Sequence, residues 1–71
     1  MTTIKFHGIF SAGHNQQEYS FSESKKAIIT MRNLAKSPLV LNCNWVVTDI
    51  YGNKIAAGGK CDNRLFIIPN N

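Results

Sequence analysis

Long apolar runs, tightly spaced metal ligands and paired acids are all missing from this chain. No stretch approaches the roughly 18 apolar residues of a membrane span, and the start Met1-Thr-Thr-Ile-Lys-Phe6 has neither the basic opening nor the apolar core of a secretory signal. The expectation is a cytoplasmic protein with no membrane partner. Two cysteines, Cys43 and Cys61, and two histidines, His7 and His14, are the only soft ligands. A tetrahedral zinc site wants two tight ligand pairs, but here the histidines are seven residues apart and the cysteines eighteen apart. No metal ligand is assigned. The four acidic residues are Glu18, Glu23, Asp49 and Asp62, and three of them suit local roles as helix cap or turn former. Gly58-Gly59-Lys60 lacks the surroundings of a phosphate-cradling loop and does not open a helix. No catalytic residue and no cofactor is assigned, and the chain is not expected to be an enzyme.

What is present is a single small domain. At 71 residues, one core supplies only about 3 to 5 kcal/mol unless dimerisation or another device reinforces it. With 44% hydrophobic and 17% charged residues, the chain is too apolar for the disordered class.

The stretch from Leu39 to Ala57 says most about the fold. Leu41, Cys43, Trp45 and Val47 alternate, Asp49-Ile-Tyr-Gly52 intervenes, and alternation resumes at Ile55 and Ala57. Period two on both sides of an Asp-x-x-Gly turn predicts an antiparallel hairpin with one buried face. Two registers fit. If Asp49 starts a type I turn closed by Gly52, Val47 faces Ile55 and Trp45 faces Ala57; if Gly52-Asn53 is a two-residue loop, Ile50 faces Ile55. The first is preferred because the Asp49 carboxylate can then bond the turn amides. In either register Cys43 and Cys61 fall near each other, so a disulfide is geometrically open unless Gly58-Gly59-Lys60, read as a flexible break, interrupts the ladder. Two reduced thiols acting as small hydrophobes are the simpler expectation.

An earlier hairpin and a helix precede this one. Thr3 to Phe10 alternates as a half-buried strand, Ala12-Gly13-His14-Asn15 is turn chemistry, and Tyr19 and Phe21 alternate beyond it. A Gly13-His14 loop would put Phe6 opposite Phe21 and Gly8 opposite Tyr19, an aromatic ring covering the gap at the glycine. Ser20 or Ser22 would cap a helix starting near residue 21 to 23. Ala27, Ile28, Met31, Leu34 and Ala35 recur on one helical face, and Ser37-Pro38 ends it. After an Asp62-Asn63 turn, Leu65-Phe-Ile-Ile68 is a short apolar strand, either buried on both faces or an edge guarded by Arg64 and Pro69. The predicted class is α+β: one helix packed on a four- to five-stranded antiparallel sheet, ββαββ with a possible short fifth strand.

The surface chemistry is basic. Net charge is +4, and half of the eight Lys and Arg residues lie between Lys25 and Lys36. Lys25, Ile29, Arg32 and Lys36 fall at helical spacing opposite the core face, with Lys26 beside them. The same pattern describes an ordinary solvated helix face carrying one tolerated aliphatic residue. Ile50 and Tyr51 place large side chains in a turn where polar residues are usual, and tyrosine gives much contact area at low entropic cost. Lys25, Lys26, Ile29, Arg32, Lys36 and Tyr51 are therefore the candidate binding residues. The expected partner is another protein or protein complex with an acidic surface, the alternative is nucleic acid held through its phosphates, and the protein is a monomer or homodimer.

Phe21-Ser-Glu-Ser-Lys-Lys-Ala-Ile28, a capped basic helix after a strand, followed by the hairpin Trp45-Val-Val-Thr-Asp-Ile-Tyr-Gly-Asn-Lys-Ile-Ala56, resembles the layout of small orphan proteins of phages and mobile elements, including some anti-CRISPR inhibitors. The resemblance implies a stoichiometric binder that blocks a host defence protein by occluding its surface, without catalysis. It supplies no set of site residues.

Overall fold

Alternating segments become strands here, and the one stripe at helical period becomes a helix. In a computed structural model that describes residues 5–68, the chain runs β1 (Phe6–Ala12), β2 (Asn15–Phe21), α1 (Ser24–Ala35), β3 (Cys43–Asp49), β4 (Lys54–Cys61) and β5 (Arg64–Ile68). The strands pair antiparallel in one sheet of order β2-β1-β3-β4-β5. The fold is the expected α+β class with the fifth strand included. It is not a plain succession of two hairpins. Because β1 pairs antiparallel with both β2 and β3, those two run parallel on either side of it, and α1 is the crossover between them.

The first hairpin has the expected register, Phe6 opposite Phe21 and Gly8 opposite Tyr19. Gly13 takes a φ of +63° in the two-residue loop, a conformation open to glycine because it has no Cβ. Among the described residues the first strand spans Phe6–Ala12, two residues beyond the expected end at Phe10; Thr3 and Ile4, in the expected strand, lie outside the described residues. The gap at Gly8 is filled chiefly by Phe21 and Met31, since a Cβ there would stand 3.1 Å from Phe21 Cε2 and from Met31 Cε. Tyr19 stacks on Phe21, with ring centroids 6.4 Å apart.

The helix starts later than its cap signals suggest. Glu23 is the N-cap residue and no side chain bonds the first-turn amides, so neither Ser20 nor Ser22 caps it. The ladder with β1 continues through Phe21 opposite Phe6, which keeps Ser20 in the strand. From there the expected face holds: Ala27, Met31 and Ala35 are fully buried, and Ile28 and Leu34 pack against them. The helix rests on β1, β2, β3 and β4. Phe10, Cys43, Trp45 and Val47 complete the core beneath it.

The second hairpin keeps the preferred register only near its turn. Thr48 pairs with Lys54, but past a shift at Val47 the ladder moves by one residue, with Val47 opposite Ala56, Trp45 opposite Gly58 and Cys43 opposite Lys60. Trp45 explains the shift. A Cβ at residue 58 would lie 2.7 Å from Trp45 Cζ2, so the indole needs a glycine across from it. Gly58-Gly59-Lys60 is therefore no flexible break; it is buried strand. Cys61 falls outside the pairing with Cys43, and both thiols are free, Cys43 buried and Cys61 exposed. Leu39 and Leu41, expected to begin the alternation, precede the strand and are exposed. Asp62 and Asn63 both have positive φ, the turn conformation that suits a two-residue hairpin loop. β5 is the sheet edge, carrying Arg64 as expected, while Pro69 lies outside the described residues.

Substitution of two of the strand glycines, Gly8 and Gly59, separates rigid from yielding neighbours. A Cβ at residue 59 would meet the Cys43 carbonyl oxygen at 2.2 Å, whereas at Gly8 the nearest atoms are side-chain ends no closer than 3.1 Å, Met31 Cε and Phe21 Cε2. Urea unfolding should show Gly59→Ala losing about 3 kcal/mol and Gly8→Ala about 1 kcal/mol. Equal losses would contradict the packing described.

Candidate functional site

The outer side of α1 carries the candidate surface because burial of Ala27, Met31 and Ala35 fixes the rotation of the helix. Lys25, Lys26, Ile29, Arg32 and Lys36 are all exposed. Ile29, Arg32 and Lys36 line one shallow depression of about 160 Å³ together with Asn33. Ile29 is 51% exposed within it. Lys26 is partly neutralised by Glu23, its Nζ lying 3.6 Å from Oε2. Lys25 and Lys26 stand in the first helical turn, at the positive end of the helix dipole, and that turn contains no acidic residue. Cations there oppose the dipole.

Tyr51 stands apart from the depression. Asp49 pairs with Phe6, and Phe6 with Phe21, which puts the β3–β4 turn at the end of the sheet where α1 begins. Arg32 and Lys36 are at the other end of the helix. Tyr51 is 82% exposed and Ile50 65% exposed, so the turn displays both instead of folding them onto the sheet. Asp49 holds the turn in shape: its Oδ1 accepts from the amides of Tyr51 at 2.8 Å and Asn53 at 2.9 Å, and its carbonyl accepts from Gly52 N at 3.1 Å. The amide of Asn53 before all else holds the Asp49 carboxyl below the usual range.

Between α1 and β5 runs a groove of about 290 Å³ lined by Arg32, Ala35, Trp45, Gly59, Leu65, Phe66 and Ile67. Leu65 and Ile67 are 52% and 66% exposed because the helix does not reach over the edge strand. Arg32 borders both this apolar groove and the cationic depression. The unalternating run Leu65-Phe-Ile-Ile68 was the only signal of it.

Lys60, the one buried charged residue among those described, donates from Nζ to the Ser37 carbonyl at 3.1 Å and so ties β4 to the loop after α1. Burial pushes the Cys43 thiol up, against the opposing effects of its hydrogen bond and proximity to Lys60. His7 Nε2 lies 3.5 Å from Glu18 Oε1 on the sheet face away from the helix. Among the described residues, no three His, Cys, Asp or Glu side chains gather where they could hold a metal ion. No described helix is long and apolar enough to cross a membrane.

Compared with protein-family models, curated proteins and solved structures, the chain matches none of them.

The Asp49 turn has a defined pH signature. Its carboxyl is depressed in the folded chain, so its contribution is complete above the unfolded value near pH ~3.9 and is lost as pH falls through the folded one. Thermal melts should show Asp49→Ala less stable than wild type by a constant margin at neutral pH. That margin should shrink below about pH 4; a margin independent of acidification would contradict the assignment.

Proposed function

We propose that the protein is a non-catalytic binding module that docks the outer face of α1 on an acidic surface of another protein or protein complex. One observation carries this: Ile29, Arg32 and Lys36 border a single depression, and Arg32 joins it to the apolar groove beside β5. An aliphatic anchor framed by cations suits an acidic patch with an apolar centre. Lys25 and Lys26 point the same way. They occupy the end of the helix where folding favours acids, which supports a role for them outside folding even though Lys26 also pairs with Glu23. Tyr51 would join only a partner broad enough to cover the start of α1. Occupancy alone would be enough to inhibit, which fits the phage-type inhibitor of a host defence complex that the layout resembles.

Nucleic acid is the second reading, supported by the same cations and the net charge of +4. Affinity capture from source-cell lysate with and without nuclease separates the two. A protein partner should survive nuclease and be lost with the double variant Arg32→Glu/Lys36→Glu, affinity falling about tenfold or more. Lys25→Glu should weaken capture while raising folding stability by about 0.3 to 1 kcal/mol. Capture unchanged by both variants would remove α1 from the account, and capture abolished by nuclease would favour the second reading.

A further inference from the structure

We infer that β5 pairs with β5 of a second copy, closing a dimer with one continuous ten-stranded sheet. This proposal rests on the edge of β5 and shares only the groove beside Arg32 with the α1 surface. The two edges of the sheet have opposite chemistry. β2 offers water Asn15, Gln16, Gln17, Glu18 and Ser20, all exposed, which is how a solvated edge avoids unwanted pairing. β5 instead exposes Leu65, Ile67 and Ile68, with Arg64 its only charge. Leu65 and Ile67 lie on the helix side, while Phe66 and Ile68 lie on the other, so the strand is apolar on both faces. That composition belongs to an interior strand.

Geometry selects the occupant and the register. The two-residue Asp62-Asn63 loop makes Cys61 and Arg64 a hydrogen-bonded pair, so by alternation Arg64, Phe66 and Ile68 bond inward to β4. The amides and carbonyls of Leu65 and Ile67 then point outward from the sheet. A two-fold axis through Phe66 places Leu65 opposite Ile67 of the second copy and Arg64 opposite Ile68 of the second copy. Every outward group finds a partner, giving four hydrogen bonds. No charge meets a like charge. An axis through Ile67 would set Leu65 against Pro69, which has no amide hydrogen. β5 meeting β2 of another copy would be heterologous and would not close. In the dimer, Leu65 and Ile67 of both copies form one apolar strip between the two helices, extending the groove beside Arg32. Five paired residues are a small interface, so the equilibrium is weak and concentration-dependent. With +4 on each copy, added salt strengthens it, the opposite of phosphate binding.

Sedimentation equilibrium from micromolar to millimolar protein should fit a monomer–dimer equilibrium, the larger species having twice the 7.9 kDa chain mass. Ile67→Lys changes a side chain that is 66% exposed in the monomer. It should weaken dimerisation tenfold or more and leave circular dichroism and the melting midpoint of dilute protein unaltered. In a Cys61→Ser background, oxidised Phe66→Cys should cross-link to its own copy across the axis, while Arg64→Cys should not. A monomer at every concentration, an Ile67→Lys variant that dimerises like wild type, or equal cross-linking of the two cysteine variants overturns the proposal.

Discussion

The structure depends on the seating of α1 over β1 and β3. Ala27, Met31 and Ala35 are wholly buried there, and two of the three are alanines, so the helix backbone comes close to the sheet. The one long side chain, Met31, drops toward Gly8, the position on β1 where a Cβ would crowd it. Val47 is the other large side chain with no exposure. Close packing of this kind tolerates little rearrangement, because the loss of contacts rises steeply with small gaps. It therefore fixes both the rotation of the helix and its reach.

Rotation and reach have separate consequences. Fixed rotation turns Lys25, Ile29, Arg32 and Lys36 outward as a set, so the cationic surface is a by-product of core packing. Limited reach leaves one edge strand with no helix above it, and Leu65 and Ile67 stay accessible. Arg32 is where the two meet. A chain of this size has little core to spare. The uncovered edge follows from that restriction: one twelve-residue helix cannot cover five strands.

Much of this was readable from residue patterns. Alternation about Gly13-His14 predicted the register of the first hairpin, though not the end of its first strand, because a two-residue loop leaves no freedom of register. The buried helix face was equally clear, since period and burial coincide at Ala27, Met31 and Ala35. The second hairpin was harder. Its Asp49 turn was legible from local chemistry, but the shift beyond Val47 is imposed by Trp45 needing Gly58 across the ladder, a contact between residues distant in sequence. The same effect made Gly58-Gly59 resemble a hinge when it is packed strand. Helix start failed for a related reason, since strand pairing at Phe21 outweighed the serine caps. Of the candidate site, Ile29, Arg32 and Lys36 share one depression, while Tyr51 lies at the opposite end of α1. The groove beside β5 was signalled only by the unalternating run Leu65-Phe-Ile-Ile68, which suits a central strand or an edge alike; sheet order decides between them.

Native-state hydrogen exchange along α1 tests the seating most directly. If the helix is held by Met31 and the flanking alanines as described, amides in its central turns should exchange only through global unfolding, with the same opening free energy as β1 and β3. Exchange of those amides through a separate low-energy opening, while the sheet stays protected, would contradict the account.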